Sequence, residues 1–184
     1  MGKVHPEITT RLREFIAAQP VFFVATAPLA ESGHVNISPK GIVGTSVVVD
    51  ERTFAYLDIT ASGAETIAHV RENGRITVMF CAFDGKPNVV RLHGRGRVVL
   101  PGDDEFATWV SRFDLAESTA TRAVIVVDVA RVSDSCGFGV PVMEHTGERE
   151  ILVDYMERKG ADGVLEYQQA KNRTSIDGLA ALDV

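Results

Sequence analysis

Six or seven short strand-like runs, each closed by turn residues, fall between residues 21 and 129, and their spacing excludes most folds. The runs cover residues 21–27, 34–41, 46–49, 53–58, 75–81, 89–100 and 123–129. A parallel sheet needs a dozen or more residues to cross between neighbouring strands, whereas hairpin-like turns join antiparallel ones. Short strands at this spacing predict a mainly β, antiparallel sandwich or barrel with helices at its corners. Those helices are expected at residues 6–19, opened by Pro6-Glu7, at 62–74, at 103–113, and at 149–159 and 161–171, where Gly160 divides the pair. At 184 residues the chain is read as one domain, residues 1–184, in which 142–184 form a helical C-terminal extension. Residues 172–184 read as an extended tail that either docks or frays.

Gly33-His34-Val35-Asn36-Ile37-Ser38-Pro39-Lys40-Gly41 is the run with the most chemistry in it. With period 2, His34, Asn36, Ser38 and Lys40 share one face and Val35, Ile37 and Pro39 the other. Pro39 cannot donate to a ladder, so the strand ends or lies at an edge there. One reading is an edge that offers hydrogen bonds and a cation to a flat, anionic ligand. The other is the ordinary solvated face of an antiparallel strand.

Two further stretches bear on an anion site. Ser62 followed by Glu65 has the spacing of a capping box, and the N-terminus of the helix it opens carries positive potential that can hold a phosphate. Thr60, Ser62 and Thr66 would add hydroxyls, while Glu65 would repel an anion. In the run over residues 89–100, Arg91, His93, Arg95 and Arg97 fall on one face at roughly 6.8 Å steps. That stripe is either a cationic wall or a solvated face of weak surface ion pairs. Gly94 and Gly96 on the opposite face point to a bend or the close approach of another backbone.

The charge balance narrows the partners. A formal net charge of −6 argues against nucleic acid or an anionic membrane as partner. No apolar run approaches the roughly 18 residues that would span a bilayer, and no signal segment opens the chain. Cys81 and Cys136, with no Cys-x-x-Cys pair, are read as reduced thiols of a cytoplasmic protein. There is no phosphate loop, dinucleotide fingerprint or nucleophile elbow, and the five histidines show no metal-ligand spacing. By pattern alone the reading stops at a soluble, mostly β domain with a candidate site for a small anion.

Several stretches together resemble the pyridoxamine 5′-phosphate oxidase-like family of FMN-binding split barrels. The matching pieces are Asn36-Ile37-Ser38-Pro39-Lys40-Gly41, the 53–60 strand leading into the Ser62 helix, Asn73-Gly74-Arg75-Ile76-Thr77-Val78-Met79-Phe80, and the 91–98 strand with Gly94-Arg95-Gly96. They cover residues 15–132 in the family's order, and the loop at 135–141 and the tail resemble an uncharacterised branch rather than the oxidase. The resemblance implies an antiparallel, Greek-key split β-barrel with flanking helices. It implies a homodimer with FMN at the interface and a small-molecule substrate, the flavin doing hydride or electron transfer. Carried over, the cofactor-binding candidates are Asn36, Ile37, Ser38, Pro39, Lys40, Asp58, Thr60, Ser62 and Thr66, with Arg91 and Arg95 as further cations and no catalytic side chain or metal ligand.

One departure matters. Where the oxidases carry an Arg-Lys pair for the FMN phosphate, this chain has Glu65 and Thr66, leaving Lys40 and the Arg91/Arg95/Arg97 stripe as replacements. A deazaflavin coenzyme in place of FMN, a flavin carrier with little turnover, and a haem-binding relative using His34, His69, His93 or His145 therefore stay open beside a flavin oxidoreductase.

Overall fold

The computed structural model describes residues 2–116, 118–149 and 151–184. In chain order the elements are β1 (Lys3–His5), α1 (Thr10–Ala17), β2 (Phe22–Thr26), β3 (Asn36–Lys40), β4 (Ser46–Val48), β5 (Thr53–Ile59), α2 (Glu65–Asn73), β6 (Arg75–Cys81), β7 (Val89–Val99), α3 (Phe106–Val110), β8 (Thr121–Ser135) and α4 (Ile151–Lys171). Seven strands form one curled antiparallel sheet in the order β3-β2-β6-β7-β8-β5-β4, and β1 adds to β8. This is the split-barrel arrangement, mainly β with helices at its corners. Among the described residues no helix is long and apolar enough to cross a membrane.

The core lies on both sides of β5 and β8. Phe54 and Tyr56 point into one cluster with Phe22 and Phe80, their ring centroids 5.5–5.6 Å from that of Phe22. Ala55, Leu57 and Ile59 point the other way, against Val110, Phe113 and Met156. Each buried aromatic contributes roughly 1.5–3 kcal/mol of transfer free energy, and each edge-to-face pair about 0.5–1.5 kcal/mol more. Alternation with apolar residues on both faces is why these runs read as continuous hydrophobic strands.

Two glycines on β7 meet close neighbours, as their pattern suggested. A Cβ on Gly94 would lie 2.1 Å from the Asp128 carbonyl oxygen, beside the irregularity at which β7 and β8 change register. Gly96 lies under Val70, 3.1 Å from where a Cβ would be, and its N–H donates to the Gly74 carbonyl at 2.7 Å. That contact fixes α2 on the sheet. Gly74 ends α2 in the left-handed conformation, φ 70°, in the position where Asn73-Gly74 predicts a stop.

Three local expectations are corrected, and one strand absent from the sequence reading is added. Lys3–His5 is a strand, too short to show a period. α1 begins after Thr9, whose Oγ1 accepts the Leu12 N–H at 3.4 Å, and not at Pro6-Glu7. β8 runs on through Ser135, because β1 and β7 both pair with its far end, so residues 133–135 are strand and not loop. The Ser62–Glu65 capping box does not form. The cap of α2 is Ala64, with no side-chain bond, and the Glu65 carboxylate instead accepts the Ile176 N–H at 3.3 Å.

The C-terminal segment docks. Ala181 and Leu182 are buried in the main cluster, Asn172 donates to the Ala61 carbonyl at 2.9 Å, and Arg71 binds both the Ala181 carbonyl and the Asp183 carboxylate. Before it, α4 breaks at Gly160, whose φ of 67° and ψ of 176° are non-helical.

Candidate functional site

The site begins with an inversion of β3. Its polar residues Asn36, Ser38 and Lys40 turn partly inward, while Val35 and Ile37 stand 69% and 67% exposed on the outside. The polar row is therefore not solvated. Asn36 Nδ2 donates to Thr26 Oγ1 at 3.2 Å and to Thr66 Oγ1 at 3.1 Å, and its Oδ1 accepts the Ser38 hydroxyl at 3.1 Å. Thr26 in turn meets His69 Nδ1 at 3.0 Å. One amide thus ties β2, β3 and α2 together beneath the barrel wall. The far nitrogen of His69, Nε2, is buried without a partner among the described residues, and burial holds this imidazole below its ordinary pKa.

Beside this network sits a buried charge triad. Lys40 Nζ lies 2.9 Å from Asp58 Oδ1. Arg122 reaches Asp58 Oδ2 from Nε at 2.8 Å and from a terminal nitrogen at 2.7 Å, and its other arm donates to the Gly63 carbonyl at 2.9 Å. Asp58 and Arg122 are 1% and 5% exposed. Burial alone would raise the Asp58 carboxyl, but Arg122 and Lys40 outweigh it and hold it below the ordinary carboxylate value. Lys40 also stands 5.8 Å from the centre of the Tyr56 ring. Burial, with Asp58 nearby, pushes the Tyr56 phenol well above its ordinary pKa, so it stays neutral.

The local fold explains the triad. β5 and β8 pair in register from Thr53 against Asp128 to Asp58 against Ala123, then slip, so that Ile59 faces Thr121. Arg122 is the extra residue of that bulge. A bulge re-aims a side chain, and here it turns a guanidinium inward that strict alternation would not.

A pocket of about 250 Å³ opens above the triad, bounded by Ser38, Pro39, Lys40, Asp58, Ser62, Thr66 and Arg122, with Glu65 at its rim. Of the residues singled out by sequence, Ser38, Pro39, Lys40, Asp58, Ser62 and Thr66 come together here. Asn36 stands behind them. Ile37 points outward, and Thr60 is fully buried, its Oγ1 accepting the Gln168 amide at 2.9 Å. Arg91 and Arg95 lie elsewhere in this chain, Arg91 donating to Ser135 Oγ at 3.2 Å and Arg95 to the Asn73 carbonyl at 3.0 Å. Arg97 is taken by Glu105 and stacks on Trp109, 5.3 Å from its ring centre. No histidine lines the pocket: His34 pairs with Asp177 at 2.7 Å, His69 is enclosed, His93 sits half-buried on β7, and His145 pairs with Glu148 at 3.0 Å. Arg122 escaped the sequence reading because only the slip in register brings it to Asp58.

What the pocket can do follows from these groups. Two cations share one carboxylate at the floor, which leaves one positive charge there, offset by Glu65 at the rim. The N-terminus of α2 adds backbone N–H groups that no side chain caps, and Ser62 and Thr66 add hydroxyls. Such a set receives an anionic oxygen group.

Comparison with known proteins agrees with this architecture. The family model described as pyridoxamine 5′-phosphate oxidase matches residues 8–136. A pyridoxamine 5′-phosphate oxidase family protein of Aspergillus flavus, ustO, is 38% identical over 194 residues, spanning 97% of this chain and 77% of that protein. Among solved structures, a point variant of HupZ from Group A Streptococcus superposes with a TM-score of 0.55 at 24% identity, over 70% of this chain and 99% of that one. A FAD-binding protein of Mesorhizobium loti gives a TM-score of 0.50 at 16% identity, over 73% and 95% of the two chains. The match over most of its length makes this chain a member of the pyridoxamine 5′-phosphate oxidase family.

Proposed function

We propose that this protein is an FMN-binding oxidoreductase whose substrate is not pyridoxamine 5′-phosphate, with the cofactor phosphate held above the Lys40–Asp58–Arg122 triad. The triad carries the reading: a Lys and an Arg held together under a pocket, in a chain lacking the Arg-Lys pair of the oxidases. Family membership supports it, and a FAD-binding protein shares the fold. The residues fit the phosphate end. Lys40 and Arg122 supply charge-assisted donors, Asp58 fixes their positions, and Ser62, Thr66 and the uncapped start of α2 complete the cradle. Glu65 stays at the rim, one carboxylate oxygen accepting the Ile176 N–H and the other lying against Gly63, so the cradle would hold the phosphate beside a carboxylate. β3 ends the sheet order, so one of its edges is free among the described strands to meet a flat ring, with Asn36 and Ser38 beneath. The flavin, when bound, supplies the hydride or electron transfer, and these side chains place it and exclude water.

The exposed row of Val35 and Ile37, with Val43 65% exposed nearby in sequence, supports a homodimer that covers it. In such a dimer Arg91 and Arg95 are available to the partner's ligand. Both cysteines are free, in keeping with a cytoplasmic protein.

The absorbance spectrum of the purified protein, followed by FMN titration, tests the cofactor. A band near ~450 nm is expected; one near ~420 nm assigns a deazaflavin, and a Soret band a haem, since each chromophore belongs to its cofactor. A colourless protein that takes up no FMN overturns the reading. Sedimentation as a stable monomer at micromolar concentration would remove the dimer.

A further inference from the structure

A second and larger hollow shares no lining residue with the first, although Lys40 lines one and Gly41 the other. It measures about 600 Å³, the size of small-molecule sites. Its floor is apolar: Ile16 from α1, Val21 and Phe22 at the start of β2, and Ile42 after β3. Phe83 and Met143 close one side, joined where the Met143 N–H donates to the Phe83 carbonyl at 2.8 Å. Methionine adapts its shape to an apolar guest.

The charge of this groove has one sign. Asp84, Glu144 and Glu148 stand in its wall, with His145 against Glu148, and neither Lys nor Arg lines it. Ala17 and Ala18 bring in the C-terminal end of α1, the negative end of its dipole, and the last turn of that helix carries no basic residue. A concave apolar wall concentrates such a field. The carboxylates do not converge on a metal ion: no group of three His, Cys, Asp or Glu side chains among the described residues could hold one.

We infer that this groove binds an amphiphilic organic amine, its apolar body on Ile16, Phe22 and Ile42 and its ammonium among Asp84, Glu144 and Glu148. The apolar floor takes the body, and Asp84 and Glu144, with Glu148 beside His145, select the cation. A neutral guest would forgo the charge, and an organic anion would be repelled. The inference concerns a site apart from the flavin pocket and stands or falls without it.

The test is calorimetric titration of the full chain with 2-phenylethylamine, 2-phenylethanol and 3-phenylpropionate, at low and physiological salt. The amine is expected to bind about tenfold or more tighter than the alcohol, with the carboxylate weakest. The triple variant Asp84→Asn/Glu144→Gln/Glu148→Gln changes exposed side chains only and should cost the amine about tenfold. Ser46→Arg, which adds a guanidinium at an exposed lining position, should abolish amine binding while circular dichroism stays unchanged. Equal affinity for amine and alcohol, an unchanged affinity in the triple variant, no amine binding at all, or displacement of the amine by FMN would each overturn the assignment.

Discussion

Arg122 grips Asp58 through two nitrogens on the same carboxylate oxygen, at 2.8 and 2.7 Å, and it can do so only because β8 carries one residue more than β5 at that point. The bulge trades a ladder position for a buried charge in the wall of the pocket. Because Lys40 takes the other oxygen, Asp58 is the one group that holds both cations in place.

Removing that anion should therefore be costly. Asp58→Asn leaves Arg122 buried and uncompensated, a change that typically destabilises by about 3–5 kcal/mol. The expected outcome is a clear fall in the denaturant midpoint without a change of slope. An Asp58→Asn protein as stable as the parent would mean that water already serves both cations.

A second effect appears as pH falls through the range of histidine. Burial lowers the His69 pKa from 6.5, so at mildly acidic pH the unfolded chain takes up a proton that the folded one refuses. Its contribution is fully present above about pH 6.5 and is lost as pH drops below that toward the folded value. Asp58 acts lower down: its pKa is below 3.8, so its contribution is present above 3.8 and lost as pH falls through the folded value. Urea midpoints measured from pH 8 to pH 3 should show both declines. His69→Gln should reduce the upper one, which half-buried His93 shares, and leave the lower intact.

The sheet was legible because its signal is local. Seven runs of alternating or doubly buried residues map onto β2 to β8, with ends displaced by a residue or two for most. The site was only half legible. Asn36, Ser38 and Lys40 share a face by period alone, but period does not say which face turns inward, and here the polar one does. That choice is made by partners distant in sequence, Thr26, Thr66 and Asp58, whose hydroxyls and carboxylate satisfy the row. Ser62 illustrates the opposite failure. Its spacing to Glu65 fits a capping box, but the docked tail offers Glu65 the Ile176 N–H instead, and no local pattern reports a contact across 111 residues. Arg122 depends on a slipped register, which leaves no mark in composition.

If the triad receives a phosphate, Lys40 is the member whose loss reads most directly on binding. It is less enclosed than Arg122, and Asp58 keeps its second partner when it is gone. A charge-assisted bond to phosphate is worth about 1.5–3 kcal/mol, so Lys40→Ala should weaken FMN binding roughly ten- to a hundredfold. Fluorescence titration with FMN measures it. An unchanged affinity would exclude Lys40 from the phosphate cradle.

The docked tail bears on the substrate. A phosphorylated pyridine needs a second anion site near the flavin, and the oxidases resembled here use an Arg-x-His segment after the last strand for part of it. This chain has no Arg-x-His there: β8 is followed by Cys136-Gly137-Phe138, and residues 175–184 carry only Asp177 and Asp183 as charges. Both are held in place, Asp177 against His34 and Asp183 against Arg71, so the tail lies along α2 as a fixed acidic strap. Glu65, bonded to the same strap, is the carboxylate at the pocket rim; Asp177 and Asp183 do not line it. A second phosphate would approach like charge on that side. Pyridoxal 5′-phosphate formation from pyridoxamine 5′-phosphate, with FMN and oxygen supplied, should therefore be absent or trace while the flavin remains bound. Turnover near the common enzyme value of about 10 per second would show that the strap does not guard the site. Binding of the substrate phosphate by Arg91 or Arg95 of a second copy would then be the arrangement to test, by Arg91→Ala and Arg95→Ala in the same assay.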